Sequence, residues 1–174
     1  MSKIYFVVGV NGVGKSTLIP LLRSRLNAHG FEVYDFDERG VPTGAGSEWR
    51  LSETLHWAEV GMLNLEKDVS TIICGYVKAK EIEEVEKQMQ IEIGVCLLDA
   101  SPEVIEKRLT NRHTDSNSLS EMERITGKTS QKFIEDNIWV SEKFREEAGR
   151  LGYKIIDTSE LTPEQVADQI VGWF

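Results

Sequence analysis

Apolar and polar positions divide the chain into two alternating kinds of segment. Short, nearly continuous apolar runs are typical of strands that are covered on both faces of a parallel sheet. Five such runs occur, at residues 4–8, 31–34, 71–74, 93–98 and 153–156. Because helical segments separate these runs, the pattern predicts an α/β fold in which right-handed crossovers join parallel strands and place helices on both faces of the sheet.

The segments between the runs carry apolar residues at helical spacing. The clearest apolar face follows the second run and consists of Leu51, Leu55, Ala58, Met62 and Leu65. Proline directly after a hydroxyl residue, as in Ser101-Pro102 and Thr162-Pro163, marks two further helix starts. Residues 118–121 have the pattern of a capping box, and we expect them to start another helix that continues to about residue 148.

A glycine-rich segment follows the first apolar run and opens into a helix. Residues 9–16 read Gly-Val-Asn-Gly-Val-Gly-Lys-Ser, which fits the phosphate-binding pattern G-x-x-x-x-G-K-[ST]. In this pattern successive backbone N–H groups surround a polyphosphate, Lys15 reaches the β- and γ-phosphates, and Ser16 offers its hydroxyl to Mg²⁺. We therefore predict a nucleoside triphosphate site that comprises Gly9, Asn11, Gly12, Val13, Gly14, Lys15, Ser16 and Thr17.

Composition limits the partners that the chain is expected to bind. Its 174 residues and 40% hydrophobic content suit one globular domain, and its net charge of −9 argues against a nucleic-acid surface. No apolar run approaches the length of a membrane span, and the N-terminus lacks the pattern of a signal peptide. We expect a cytoplasmic protein that does not bind membranes, and a homodimer remains open.

Two carboxylates follow the second apolar run. Asp35 and Asp37 are separated by one residue, which places them on the same side of an extended segment. Ligands of parallel sheets gather at the carboxyl ends of the strands, so both lie where a bound nucleotide would be. Asp35 would hold Mg²⁺, and Asp37 would orient an attacking hydroxyl or accept its proton. The alternative is a pair of acids that caps the strand and forms a turn.

Four segments of the chain resemble the P-loop small-molecule and nucleoside-monophosphate kinases, which include shikimate-kinase-like, gluconate-kinase-like and adenylate-kinase-like proteins. They are residues 9–16, the Asp35/Asp37 pair, residues 75–78 and the Arg108-x-x-x-Arg112 motif. The resemblance covers most of the chain, residues 1–174 as one domain. It implies a three-layer fold around a five-stranded parallel sheet of order 2-3-1-4-5, with a lid within about residues 108–128, and the polar stretch 113–120 fits that lid.

Both cysteines lie in apolar runs. If the strand order implied by the resemblance holds, the first strand lies between Cys74 and Cys96 and separates them by roughly 9–10 Å. A disulfide requires Cα atoms within about 7 Å, so we expect two buried free thiols.

The resemblance also assigns roles to basic residues. Arg108 and Arg112 lie one helical turn apart, and the resemblance implies that they bind the nucleotide and stabilise charge during transfer. Arg124 and Lys128 are further candidates beyond the lid. The alternative for all four residues is a solvated basic helix face.

An acceptor site is expected in residues 35–60 and after the third strand. Its candidate residues are Asp37, Arg39, Arg50, Gly75, Tyr76 and Lys78. Cationic and aromatic groups together suit an anionic or ring-bearing acceptor, whereas Trp49 and Trp57 at helical spacing are more typical of a core. Adenylate-kinase-like proteins have proline and arginine where this chain has Val77 and Lys78, which weakens the case for a nucleoside monophosphate.

These patterns predict an ATP- and Mg²⁺-dependent phosphotransferase that moves the γ-phosphoryl group to a small metabolite, with a hydroxyl as the acceptor. Two alternatives stay open, a nucleoside or nucleotide kinase and a nucleotide-binding switch that hydrolyses ATP slowly. A GTPase is not favoured, because the chain has no Asn-Lys-x-Asp motif. A motor ATPase is not favoured either, because the third strand does not end in aspartate.

Overall fold

The computed structural model describes residues 3–112 and 116–174. Its strands are β1 (Ile4–Val8), β2 (Phe31–Asp35), β3 (Ser70–Gly75), β4 (Ile93–Asp99) and β5 (Lys154–Asp157). Its helices are α1 (Lys15–Leu26), α2 (Ser47–Leu65), α3 (Ala79–Met89), α4 (Pro102–Arg112), α5 (Ser116–Thr126), α6 (Ser130–Leu151) and α7 (Pro163–Val171), and a 3₁₀ turn spans Asn27–His29. The strands begin and end within one residue of the apolar runs that predicted them.

The strands form one parallel sheet in the order β2-β3-β1-β4-β5, which confirms the predicted topology. All five residues of β1 are buried, although successive side chains point to opposite faces of the sheet. Helices therefore cover both faces, and the chain has the three-layer architecture that the sequence predicts. Within residues 3–112 and 116–174, no helix is long and apolar enough to cross a lipid bilayer.

The two cysteines lie on either side of the central strand, as expected. Val7 is in register with Cys74 on β3 and with Cys96 on β4. Both thiols are free and buried, and burial raises the pKa of each to about 12. They are structural residues of the sheet.

The segment after α4 differs from the prediction. One helix was expected from residues 118–121 to about residue 148, but the structure has two, α5 and α6. Gly127 between them has a φ of 67°, which cannot continue a right-handed helix, and the Thr129 hydroxyl accepts the Lys132 N–H to start α6 anew. Residues 113–115 of the predicted lid stretch lie outside the described residues.

Candidate functional site

The phosphate-binding loop joins β1 to α1 at the carboxyl edge of the sheet. A Cβ atom at Gly9 would lie 2.6 Å from the carbonyl oxygen of Leu98, so only glycine fits there. Gly12 and Gly14 have φ values of 90° and 100°, which side chains disfavour. Since α1 begins at Lys15, the N–H groups of its first turn have no partner inside the helix and are suited to an anion.

Arg108 and Thr158 hold this loop from the side of α4 and β5. The Arg108 guanidinium donates to the carbonyl oxygens of Gly12 at 3.3 Å and of Thr158 at 2.8 Å, and to the Thr158 hydroxyl at 3.0 Å. The Thr158 hydroxyl donates in turn to the Val13 carbonyl at 3.1 Å. Arg108 therefore positions the loop as well as lining the cavity described below.

Asn137 on α6 holds the loop at another point. Its Oδ1 accepts hydrogen bonds from the backbone N–H of Asn11 at 2.9 Å and from the Asn11 side chain at 3.2 Å. Its amide donates to the carbonyl oxygen of Phe133 at 2.8 Å, and the residue is buried. The sequence prediction missed both Asn137 and Thr158, although a polar residue on the apolar face of a helix was a signal for Asn137.

Lys15 is turned back onto the loop from which it projects. Its ammonium donates to the carbonyl oxygens of Gly9 at 2.8 Å and of Val10 at 2.7 Å. Burial lowers the pKa of Lys15 to about 8, and the negative charge of Asp37 opposes that shift. This ammonium is therefore held inside the site, where its protonation responds to nearby anions.

The loop opens onto a cavity of about 690 Å³ that gathers most of the predicted site. The predicted residues in its wall are Asn11, Gly12, Val13, Gly14, Lys15, Ser16, Thr17, Asp35, Asp37, Gly75, Tyr76, Arg108 and Arg112. Thr158 and the apolar residues Leu161, Pro163 and Val166 also contribute. Gly9, the first residue of the loop, is not among the described residues of the wall.

Asp35 and Asp37 lie at the turn after β2. The Asp35 carboxylate accepts the Asp37 N–H at 3.0 Å, so it also stabilises the turn, as the alternative interpretation expects. Partial burial and the charge of Asp35 raise the pKa of Asp37, while the ammonium of Lys15 lowers it. Both carboxylates line the cavity, so a role in the turn does not remove them from the site.

The wall residues include oxygen donors of the kind that Mg²⁺ binds. Ser16 brings a hydroxyl from the first turn of α1, and Asp35 brings a carboxylate from the end of β2. Mg²⁺ in phosphotransfer sites is held by one or two such groups together with substrate phosphates. The residues present therefore fit the metal.

Three predicted acceptor residues are not among the described residues of the cavity wall: Arg39, Arg50 and Lys78. Each arginine contacts a buried carboxylate instead, Arg39 with Glu53 at 3.3 Å and Arg50 with Glu81 at 2.9 Å. Trp57 belongs to the core, where its indole N–H donates to the carbonyl oxygen of Phe36 at 3.1 Å. Trp49 packs edge-on against Phe36, with ring centroids 5.8 Å apart.

The other two basic candidates also lie away from the described part of that wall. Arg124 on α5 donates to the Thr43 hydroxyl at 2.9 Å, which joins the predicted lid to the loop between β2 and α2. Lys128 pairs with Asp136 on α6.

The chain matches no protein-family model and no curated protein at the sequence level. Solved structures do resemble it. A sugar kinase from Janibacter sp. HTCC2649 has a TM-score of 0.60 at 18% identity, over 99% of this chain and 94% of that one. Shikimate kinase from Acinetobacter baumannii, solved with shikimate, has a TM-score of 0.60 at 18% identity, over 99% and 93% of the two chains.

Thymidylate kinase from Candida albicans has a TM-score of 0.57 at 13% identity, over 99% of this chain and 90% of that one. At these identities the likeness concerns the fold. The chain has the P-loop kinase-like fold, which confirms the fold that the resemblance implied.

Proposed function

We propose that this chain is an ATP- and Mg²⁺-dependent phosphotransferase that moves the γ-phosphoryl group to a hydroxyl of a small molecule. One observation carries the proposal: a single cavity is lined by the phosphate-binding loop with Lys15 and by the carboxylates of Asp35 and Asp37. A phosphate-binding site and carboxylates that can accept a hydroxyl proton thus line the same cavity. The P-loop kinase-like fold supports this assignment.

The donor side positions ATP by fixed dipoles and charges. Backbone N–H groups of the loop bind the phosphate oxygens, and the ammonium of Lys15 together with Arg108 and Arg112 stabilises the negative charge that develops during transfer. Ser16 and Asp35 would hold Mg²⁺, which would supply positive charge to neutralise the phosphates. Because Arg108 and Asn137 already hold the loop, its donors need little rearrangement on binding.

The acceptor side handles the proton. The acceptor's hydroxyl oxygen forms a bond to the γ-phosphorus, and the bond from that phosphorus to the β,γ-bridging oxygen breaks. The electron pair of that bond leaves with ADP, while the hydroxyl proton passes to the carboxylate of Asp37. The raised pKa of Asp37 makes it a better proton acceptor than an ordinary surface aspartate.

A lid within about residues 108–128 completes the proposal. Water competes with the acceptor for the phosphoryl group, so closure over the cavity favours transfer over hydrolysis. The hydrogen bond from Arg124 on α5 to the Thr43 hydroxyl, which connects this segment to the loop after β2, supports the proposed lid.

One experiment tests the proposal against both alternatives. ADP release is measured with ATP and Mg²⁺, with and without each member of a panel of sugars, polyols, hydroxy acids, nucleosides and nucleoside monophosphates. We expect at least one acceptor to raise ADP release about a hundredfold above the rate in water and to yield a phosphorylated product by mass spectrometry.

The alternatives predict other outcomes. Turnover confined to nucleosides or nucleotides, with inhibition by a bisubstrate dinucleotide, would support the nucleoside or nucleotide kinase. The ring of Tyr76 in the cavity wall is the observation that favours that candidate. Slow hydrolysis that no acceptor stimulates would contradict the phosphotransferase and support the switch.

A further inference from the structure

In the region that follows β2 and β3, where the acceptor is expected, both arginines are paired with buried carboxylates. The strongest pair joins α2 to α3: Arg50 Nε donates to Glu81 Oε1 at 2.9 Å, and the two side chains are 17% and 7% exposed. The Arg50 guanidinium also lies over the Tyr76 ring, 5.5 Å from its centroid. The guanidinium of Arg50 therefore already has two partners within the protein, the Glu81 carboxylate and the Tyr76 ring.

Glu81 is fixed in place independently of Arg50. Its other oxygen accepts the backbone N–H of Lys78 at 2.8 Å, as the third helical residue of a capping box at the start of α3. Because the carboxylate serves the helix as well as the ion pair, an incoming anion cannot displace it from Arg50 without loosening α3. The positive charge of Arg50 should thus remain offset by the Glu81 carboxylate when an acceptor binds.

Arg39 is balanced in the same manner. Its guanidinium lies 3.3 Å and 3.4 Å from the two oxygens of Glu53, a residue of α2 that is 7% exposed. An uncompensated carboxylate at such a depth would be costly, so the pair is expected to persist when a substrate binds.

The part of the cavity wall contributed by the ends of β2 and β3 and the residues after them is acidic. It consists of Asp35, Asp37, Cys74, Gly75 and Tyr76, whereas the cations in the described wall, Lys15, Arg108 and Arg112, come from α1 and α4. Residues 35–60 and 75–81, on and off the wall, contain four cations and seven carboxylates: Arg39, Arg50, Lys78 and Lys80 with Asp35, Asp37, Glu38, Glu48, Glu53, Glu59 and Glu81. A carboxylate or phosphate on the acceptor would have to lose water next to like charges.

Building on the phosphotransferase function proposed above, we infer that the acceptor is an uncharged alcohol: a polyol, a sugar or a nucleoside without a carboxylate or phosphate group. Tyr76 contributes an uncharged aromatic group to the cavity wall, with its ring held between Arg50 and Phe144, and Asp37 offers a hydrogen-bond acceptor for the hydroxyl of such a molecule. The sequence predicted an anionic or ring-bearing acceptor, and the anionic alternative rested on arginines that the structure pairs with carboxylates.

Matched acceptors test this inference on the wild-type chain. Each pair differs in one charged group: a hexitol against the corresponding aldonate, and a nucleoside against its 5′-monophosphate. We expect the uncharged member of the preferred pair to have a kcat/KM about tenfold or more above that of its charged partner.

A charge variant tests the cause. Glu81→Gln keeps an oxygen that accepts the capping hydrogen bond, because glutamine also serves at this position of a capping box, but it removes the charge that offsets Arg50. We expect it to raise kcat/KM for the charged members about tenfold and to change the uncharged members less than about twofold. Glu83→Gln is the matched control, since it removes the same charge from an exposed position of α3. We expect it to leave kcat/KM unchanged for both the charged and the uncharged acceptors.

The outcomes separate this inference from the function on which it rests. A wild-type chain that prefers the charged member of a pair is a phosphotransferase with the opposite acceptor class, which overturns the inference alone. Equal effects of Glu81→Gln and Glu83→Gln would show that Arg50 does not set the preference. No transfer to any member, with ATP still bound, overturns the proposed function and the inference together.

Discussion

The two ends of the cavity are built differently. At the donor end, side chains from distant elements bind the backbone of the phosphate loop: Arg108 and Thr158 hold the carbonyl oxygens of Gly12 and Val13, and Asn137 holds the N–H of Asn11. Near the proposed acceptor end, side chains outside the described wall contact each other, and the arginines of α2 and of the loop before it pair with carboxylates.

Under the proposed function, this difference corresponds to what each end would recognise. A triphosphate presents the same oxygens in every kinase reaction, so a fixed backbone with few requirements on side chains suffices. An acceptor is distinguished by its own groups, so its selection depends on side-chain charges that a single substitution can change. Substitutions at the donor end should therefore change ATP affinity whichever acceptor is used. Substitutions at the acceptor end, other than at Asp35, which would hold Mg²⁺, should leave ATP affinity unchanged.

The largest expected effect is at the donor end. Lys15→Ala removes the ammonium that lies against Gly9 and Val10, and we expect kcat to fall about a thousandfold because one charge that stabilises the transition state is lost. Steady-state ADP release with the preferred acceptor measures it. Lys107→Ala, at an exposed position on α4, is the control, and comparable activity of the two variants would refute a role for Lys15 in transfer.

The next largest effect should be confined to the acceptor end. Asp37→Asn removes the proton acceptor but keeps the backbone N–H that binds Asp35, so we expect kcat to fall about a hundredfold while ATP affinity changes less than about twofold. Calorimetric titration with ATP, beside the rate measurement, separates the two quantities.

Asp68→Asn serves as the control for Asp37→Asn. It makes the same chemical change outside the cavity wall, and asparagine tolerates the φ of 58° at that position. A large loss of ATP affinity in Asp37→Asn would show that the two ends of the cavity are not separable.

A smaller effect is expected from the side chain that holds the loop through α6. Asn137→Ala leaves the N–H of Asn11 without its partner, and we expect ATP to bind about tenfold more weakly because the loop has to be ordered on binding. Asn64→Ala also removes a buried asparagine, but one that contacts Glu32 and Thr71.

Both asparagine variants should melt at lower temperature, because each loses buried hydrogen bonds. The prediction for Asn137 fails if the two variants bind ATP with the same affinity in this titration. The hydrogen bond from Asn137 to the loop would then contribute to stability and not to ATP binding.

The smallest effect comes from pH. The pKa of Lys15, about 8, means that its ammonium loses its proton as the pH rises through that value, whereas a bound triphosphate favours the charged form. We expect ATP affinity to weaken severalfold between about pH 7 and pH 9, with proton uptake on binding near pH 8.5. Calorimetry in buffers of different ionisation enthalpy measures that uptake.

Lys15→Arg is the matched control for the pH dependence, because arginine keeps its charge over this range. The ATP affinity of this variant should therefore not weaken as the pH rises from about 7 to about 9. A wild-type affinity that is constant with pH would contradict the shifted pKa.

The sequence predicted the parts of the molecule that depend on local pattern. The strands were predicted because residues such as those of β1 are buried on both faces, which leaves a continuous apolar run. Residues 9–16 were predicted because the chemistry of phosphate binding requires glycines and a lysine at fixed spacing. The strand order came from the resemblance, since spacing alone does not state which strands are neighbours.

The remainder depends on contacts between distant residues. The Asn11–Asn137 bond joins residues 126 positions apart, and Thr158 reaches Val13 across 145 positions. Arg50 and Glu81 are 31 positions apart, and their pairing decides whether the arginine is available to a ligand. No pattern within one segment encodes such pairings, so the sequence indicated which residues carry chemistry but not which of them neutralise one another.

The placement of the cysteines offers a way to find ligands without any turnover. Cys96 is fully enclosed beside the central strand, so a thiol reagent reaches it only in molecules whose sheet has opened. A compound that binds the folded chain at a hundred times its Kd adds about 2.7 kcal/mol to stability and slows the modification of such a thiol accordingly. Labelling rates at this one sulfur would rank nucleotides and candidate acceptors by affinity, and a reaction product need never be detected.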